Sequence, residues 1–250
     1  MTFDAAVAAI DAGDLSALAA LPRDVLHTRV ENGRDDYFAR PYLLWFVAEN
    51  PIRTGTLPAN IVAVTKLLLE RGAEGRDDAL GLVVSGQVPR EQGVQLDLID
   101  VLVDAGADPN CLDAALAHRE NAAAERLLER GAHETLVASV CLGRPFTLGD
   151  ATTAEERQIA FSGAALHGRA DALRKLIAAG VDVDAFNPEA WHAHSTALHS
   201  AVDAGSAEAV RVLLAAGADA SIKDRLFDGT PLDWARYLGR DAVLEALEGR

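Results

Sequence analysis

The side chains best equipped for chemistry lie between Asp182 and His199. The run Asp182-Val183-Asp184-Ala185-Phe186-Asn187-Pro188-Glu189-Ala190-Trp191-His192-Ala193-His194-Ser195 gathers imidazoles, carboxylates and two large aromatic rings in one stretch. Alternate side chains of an extended chain share a face, so His192 and His194 point the same way, and His199 could bring a third nitrogen to a zinc ion. Two histidines alone are too few for such a site, so the metal reading depends on whether His199 is free. The same stretch has a second use. Phe186, Glu189, Trp191, His192 and His194, together with Phe227 and Asp228 farther on, are side-chain types that anchor a protein partner, and they are the expected partner-binding residues. Trp191, outside any helical pattern, is the expected exposed anchor.

Elsewhere the chemistry is thin. The chain has no phosphate-binding P-loop, no Rossmann glycine fingerprint, no HExxH zinc motif and no GxSxG elbow. No catalytic residue, metal or cofactor is assigned. Cys111 and Cys141 lack CxxC spacing and read as reduced, partly buried thiols of a cytoplasmic protein. A formal charge of −15, without a cluster of Lys and Arg, argues against nucleic acid and would steer a basic protein partner toward the chain. The opening residues carry Asp4, Asp11 and Asp14 rather than an export leader, and no apolar run is long enough for a bilayer, so no membrane partner is expected. Oligomeric state is left open.

The elements that must position these residues are announced by a recurring phrase. It reads Leu68-Leu69-Glu70-Arg71-Gly72-Ala73, Leu102-Val103-Asp104-Ala105-Gly106-Ala107, Leu127-Leu128-Glu129-Arg130-Gly131-Ala132, Leu176-Ile177-Ala178-Ala179-Gly180-Val181 and Leu213-Leu214-Ala215-Ala216-Gly217-Ala218. Each phrase ends an amphipathic helix, with glycine just beyond it where a left-handed backbone is needed. Gly168 precedes Gly180, and Gly205 precedes Gly217, by the same interval, which marks the end of a second short helix in each unit. Repetition of this kind means stacked helix pairs. The pairs are expected at 3–21, 41–50 with 58–71, 77–86 with 96–105, 111–118 with 121–130, 154–167 with 170–179, 196–204 with 207–216, and 230–238 with 240–248. A helix at 134–142 has a poorly defined partner. Thr153 and Glu156 form a capping-box pattern that starts a long helix after an irregular 144–152 loop, and Pro231 fits a first helical turn. The aromatic group Tyr37, Phe38, Tyr42, Trp45 and Phe46 reads as core.

The segments Thr196-Ala197-Leu198-His199-Ser200-Ala201 and Thr230-Pro231-Leu232-Asp233-Trp234-Ala235 resemble the Thr-Pro-Leu-His-x-Ala signature of the ankyrin repeat, and the resemblance is clearest over Thr196 to Asp219. It implies an all-α ankyrin-repeat solenoid of about seven to eight degenerate helix pairs with extended loops. One domain, 1–250, is expected, with a capping unit at 1–34, degenerate repeats with insertions at 35–153, and the clearest repeats and a cap at 154–250. Connections at Gly106–Asn110 and Gly131–Thr135 are too short for the family's finger loops, whereas Gly180–Thr196 is longer than its norm, with further insertions near 29–40, 50–58 and 87–95. The resemblance also implies that His199 braces its loop through hydrogen bonds, which removes the third zinc ligand, and that Asp113 and Asp233 stand at the corresponding position. The function implied is a non-catalytic module that binds a macromolecular partner through concave helices and finger loops, with an inhibitor or immunity-type protein as the sharper form. The rival is an enzyme or a small-ligand or metal-binding protein with a pocket between the 181–195 and 223–229 loops.

Overall fold

A computed structural model describes residues 2–31, 39–48 and 55–249. These contain sixteen α-helices, and among them the only strand-like feature is a single antiparallel bridge between Phe186 and Thr196. The helical expectation holds. The chain divides into two compact units, Met1–His133 and Glu134–Arg250. Tyr37 and Phe38, with most of the insertions near 29–40 and 50–58, lie outside the described residues.

The first unit holds α1 (Phe3–Asp11), α2 (Leu15–Ala19), α3 (Arg23–His27), α4 (Ile61–Glu70), α5 (Arg76–Ser85), α6 (Gln87–Glu91), α7 (Gln95–Asp104), α8 (Leu112–Leu116) and α9 (Asn121–Glu129). Its helices stack in two rows. One row runs α2, α4, α7, α9; the other runs α1, then a 3-10 turn at Leu43–Val47, then α5 and α8. The helix expected at 41–50 is therefore this shorter turn, whose five residues Leu43, Leu44, Trp45, Phe46 and Val47 are all buried. A run apolar on every side suits a compact turn enclosed by its neighbours better than a helix with a solvent face. Two short helices were not expected: α3 lies in a stretch given no element, and α6 lies in the insertion expected at 87–95.

The second unit holds α10 (Leu136–Leu142), α11 (Ala154–Leu166), α12 (Ala170–Ala178), α13 (Ala197–Asp203), α14 (Ala207–Ala215), α15 (Pro231–Tyr237) and α16 (Asp241–Glu248). Here α10, α11, α13 and α15 form one row and α12, α14 and α16 the other, so α10 lacks a second helix and is followed by the irregular 143–153 segment. Thr153 and Glu156 complete the expected capping box, and α11 is the longest helix. The glycine after α14 shows why the repeated phrase works. Gly217 adopts φ +92, its N–H reaches the Leu214 carbonyl, and the next N–H, of Ala218, reaches Leu213, which satisfies carbonyls that the helix end would leave bare.

Candidate binding surface

Thr196 and His199 set the base of the surface. Thr196 caps α13, and its hydroxyl hydrogen-bonds to His199 Nδ1 at 2.9 Å, while His199 Nε2 lies 3.1 Å from the Gly229 carbonyl. That carbonyl can only accept, so Nε2 carries the proton and Nδ1 accepts from the threonine. The ring is fully buried, and burial lowers its pKa below the usual histidine value, against the hydrogen bond to Gly229 that favours the charged form. His199 is thus the loop brace that the family resemblance implies, and both its nitrogens are engaged. Asp233 does the equivalent work on α15: its carboxylate accepts from the Thr230 N–H and hydroxyl, and its own N–H bonds to Thr230 Oγ1. Asp113 lies in the first turn of α8.

The 223–229 loop is built around Asp224, a residue the sequence reading passed over. Its Oδ1 accepts the N–H groups of Leu226 and Phe227 at 2.9 and 2.7 Å, and its Oδ2 accepts the Gly229 N–H at 3.0 Å and the Trp234 indole N–H at 2.9 Å. Asp224 is only 3% exposed. Burial alone would raise its pKa, but the donors from Phe227, Trp234, Leu226 and Gly229 outweigh it and hold the carboxyl down to about 2. An aspartate a few residues before a glycine is a turn signal, yet its match to four donors arises only when the chain closes on itself.

The two loops meet. The Arg225 N–H donates to the His194 carbonyl at 2.7 Å, and the Arg225 guanidinium lies 3.6 Å from the centre of the Phe186 ring. The His194 ring stands 6.1 Å from Phe227 and 6.0 Å from both Trp234 and His192. Of the expected partner-binding residues, Glu189, His192, Phe227 and Asp228 are exposed, and Phe186 and His194 are half-buried. Asp228 pairs with Lys223 at 2.8 Å.

Trp191 requires correction. It is 2% exposed, and so cannot serve as an exposed anchor. A 3-10 turn, Glu189–Trp191, folds its indole inward over Gly163 of α11: a β-carbon at Gly163 would lie 3.3 Å from Trp191 Cζ3, 2.7 Å from Cys141 Sγ and 3.0 Å from Val137 Cγ2. The helical glycine leaves the space that the indole fills.

The sequence reading also missed the apolar surface beyond Phe227. Tyr237 is 91% exposed, Phe227 69% and Leu226 64%, and Leu238 lies beside them. Phe227, Gly229, Trp234, Tyr237 and Leu238, with Asp203 and Asp233, line a groove of about 490 Å3. It takes nothing from 181–195, so it is not the two-loop pocket of the rival reading. Tyr237 falls off the buried face of α15, marked by Pro231 and Ala235, and that offset was a readable signal.

Cys111 is partly buried and Cys141 fully so, and the two are not joined in a disulfide. Burial pushes the Cys111 thiol up to about 12. No helix among the described residues is long and apolar enough to cross a membrane. A family model described as ankyrin repeats, three copies, matches residues 148–248. Ankyrin repeats generally mediate protein–protein interaction. A search of curated proteins finds no match.

Proposed function

We propose that this chain, whose residues 148–248 are ankyrin repeats, is a non-catalytic module that holds a protein partner against its 181–195 and 223–229 loops. The observation that carries the reading is the bracing of these loops. His199 and the Asp224–Trp234 bond fix the 223–229 loop to the helices and the Arg225–His194 backbone bond ties the two loops together, while Glu189, His192 and Phe227 stay open to solvent. A surface held this way loses little conformational entropy when a partner docks. The net charge of −15 favours a basic partner, and an inhibitor or immunity-type role against a basic protein is the sharper form of the same proposal. Two cysteines outside any disulfide fit a reducing, cytoplasmic setting.

The test is affinity capture from native lysate with the wild-type chain and with a Glu189→Ala, His192→Ala, Phe227→Ser triple variant. A partner held by the first and lost by the second, with both melting alike, supports the loops as the binding surface. A partner held equally by both moves the interface elsewhere. Turnover of a captured small molecule by the wild type would replace the binding reading with the enzymatic one.

A further inference from the structure

The groove between the 223–229 loop and α15 has a chemistry of its own. Its floor and walls are the rings of Phe227, Trp234 and Tyr237 with Leu238, and its remaining charged groups are the carboxylates of Asp203 and Asp233. No Lys or Arg lines it. The nearby cations have partners outside the groove, Lys223 with Asp228, Arg236 with Glu248, and Arg240 with the Asp203 carbonyl, and Lys223 and Arg236 also act on Asp233 from a distance. Tyr237 and Phe227 hold their rings in water although stacking of the helices does not require it. One wall is held in place, because Asp224 accepts from the Trp234 indole and from the backbone N–H that carries Phe227. An apolar groove with two carboxylates and no cation in its lining is complementary to one kind of ligand.

We infer that this groove docks a peptide segment of a partner protein in which an aromatic or large aliphatic side chain stands beside a Lys or Arg: the apolar group fills the space between Phe227 and Tyr237, and the cation lies against Asp203 and Asp233. The inference rests on the proposed protein-binding function and names the chemistry of the partner. A second copy of the chain fits less well, since two molecules of charge −15 would bring an acidic surface to an acidic rim.

Selection of random linear peptides on the full chain tests it, followed by affinity measurement of the winners on variants. Winners should share an apolar anchor next to Lys or Arg and weaken as salt rises. They should lose about tenfold or more in affinity on Tyr237→Ser and on Phe227→Ser. Tyr237→Ser alone decides if Phe227→Ser lowers the melting temperature, because the Tyr237 side chain is almost wholly in solvent. Winners without a cation, or indifferent to salt, overturn the charge assignment. Winners that ignore both groove substitutions but are lost on Glu189→Ala or His192→Ala overturn the groove and leave the loop-binding function standing. Failure to select any peptide counts against both. A self-association seen by sedimentation and abolished by Tyr237→Ser would assign the groove to a second copy and overturn the inference.

Discussion

The connection after α7 and the connection after α14 begin alike and end differently. Both read Gly-Ala-Asp, Gly106 to Asp108 in one unit and Gly217 to Asp219 in the other. In both, the aspartate N–H donates to an aspartate of the preceding repeat, Asp108 to Asp77 at 2.9 Å and Asp219 to Asp184 at 2.8 Å. In both, the aspartate carboxylate then accepts from the N–H two residues on, that of Asn110 or of Ser221. After this shared corner the first chain turns directly into α8, whereas the second runs out through 223–229 before α15. The corner is a property of the repeated phrase; the projecting loop is a property of what braces it.

The braces of the 223–229 loop come from residues of the second unit. Thr196 with His199 and Thr230 with Asp233 each close a cap over their helix, but Cys111 at the start of α8 makes no side-chain cap bond. Without the Thr-x-x-His pattern there is no imidazole to reach a neighbouring loop carbonyl, and with no long loop there is no carbonyl to reach. The span matched by the family model, 148–248, covers the stretch where these braces occur.

The largest effect should come from the long loop's inward anchor. Trp191→Ala removes a fully packed indole from over Gly163 and should cost about 3–5 kcal/mol of stability in the second unit, measured by denaturant unfolding. Hydrogen exchange should rise in α10 and α11. A loss of partner affinity with unchanged stability would return Trp191 to the surface and break the account of this loop.

Next in size is the comparison of aspartates. Asp224→Asn takes away the charge and one acceptor oxygen from four donors and should destabilise by about 2 kcal/mol or more, with faster exchange at Leu226, Phe227 and Gly229. Asp108→Asn, at the exposed corner of the first unit, should cost distinctly less. Equal costs would mean that the projecting loop is not what Asp224 supports.

The same carboxylate sets a pH dependence. Its folded pKa, about 2, lies below its ordinary 3.8, so the unfolded chain takes up the proton first as the solution is acidified. The stabilisation is complete above the ordinary value, on the order of 2 kcal/mol, and is lost between about pH 4 and pH 2. His199 adds a loss of the same sign that begins nearer neutral pH as the solution is acidified. Its pKa is lowered by burial, so the unfolded histidine binds a proton below about 6.5 while the folded ring resists it. Unfolding of wild type against Asp224→Asn across this range should show a smaller acid-side loss in the variant, where His199 and the lowered carboxylates of Asp108, Glu156 and Asp233 still titrate.

What the sequence made legible was set by short-range chemistry. The glycine that ends each repeated phrase, the Thr153–Glu156 box, Pro231 and the His199 brace are each decided within a few residues, and all were readable. Trp191 was not, because its burial depends on a missing side chain at Gly163 in another helix. The 3-10 turn at Leu43–Val47 was read as a helix because an all-apolar run has no periodicity to distinguish the two. Asp224 and Tyr237 were missed for opposite reasons: one needs the closed loop to find its donors, and the other is informative only by being left outside.

The smallest effect tests the shared corner itself. Gly106 and Gly217 have φ of +89 and +92, and a β-carbon at either would meet nothing closer than ordinary contact distance. Replacement by valine should therefore cost the strain of a left-handed backbone and little else, about 1–2 kcal/mol at each site. Because the helix-end bonds are the same, Ala107 to Leu102 and Ala218 to Leu213, both at 3.0 Å, the two costs should agree within error. The loop after Gly217 adds nothing to that equality if it is braced independently by Asp224 and His199. A much larger loss at Gly217, accompanied by exchange at Phe227 and Gly229, would show that corner and loop form a single cooperative piece, and the separation drawn between them would fall.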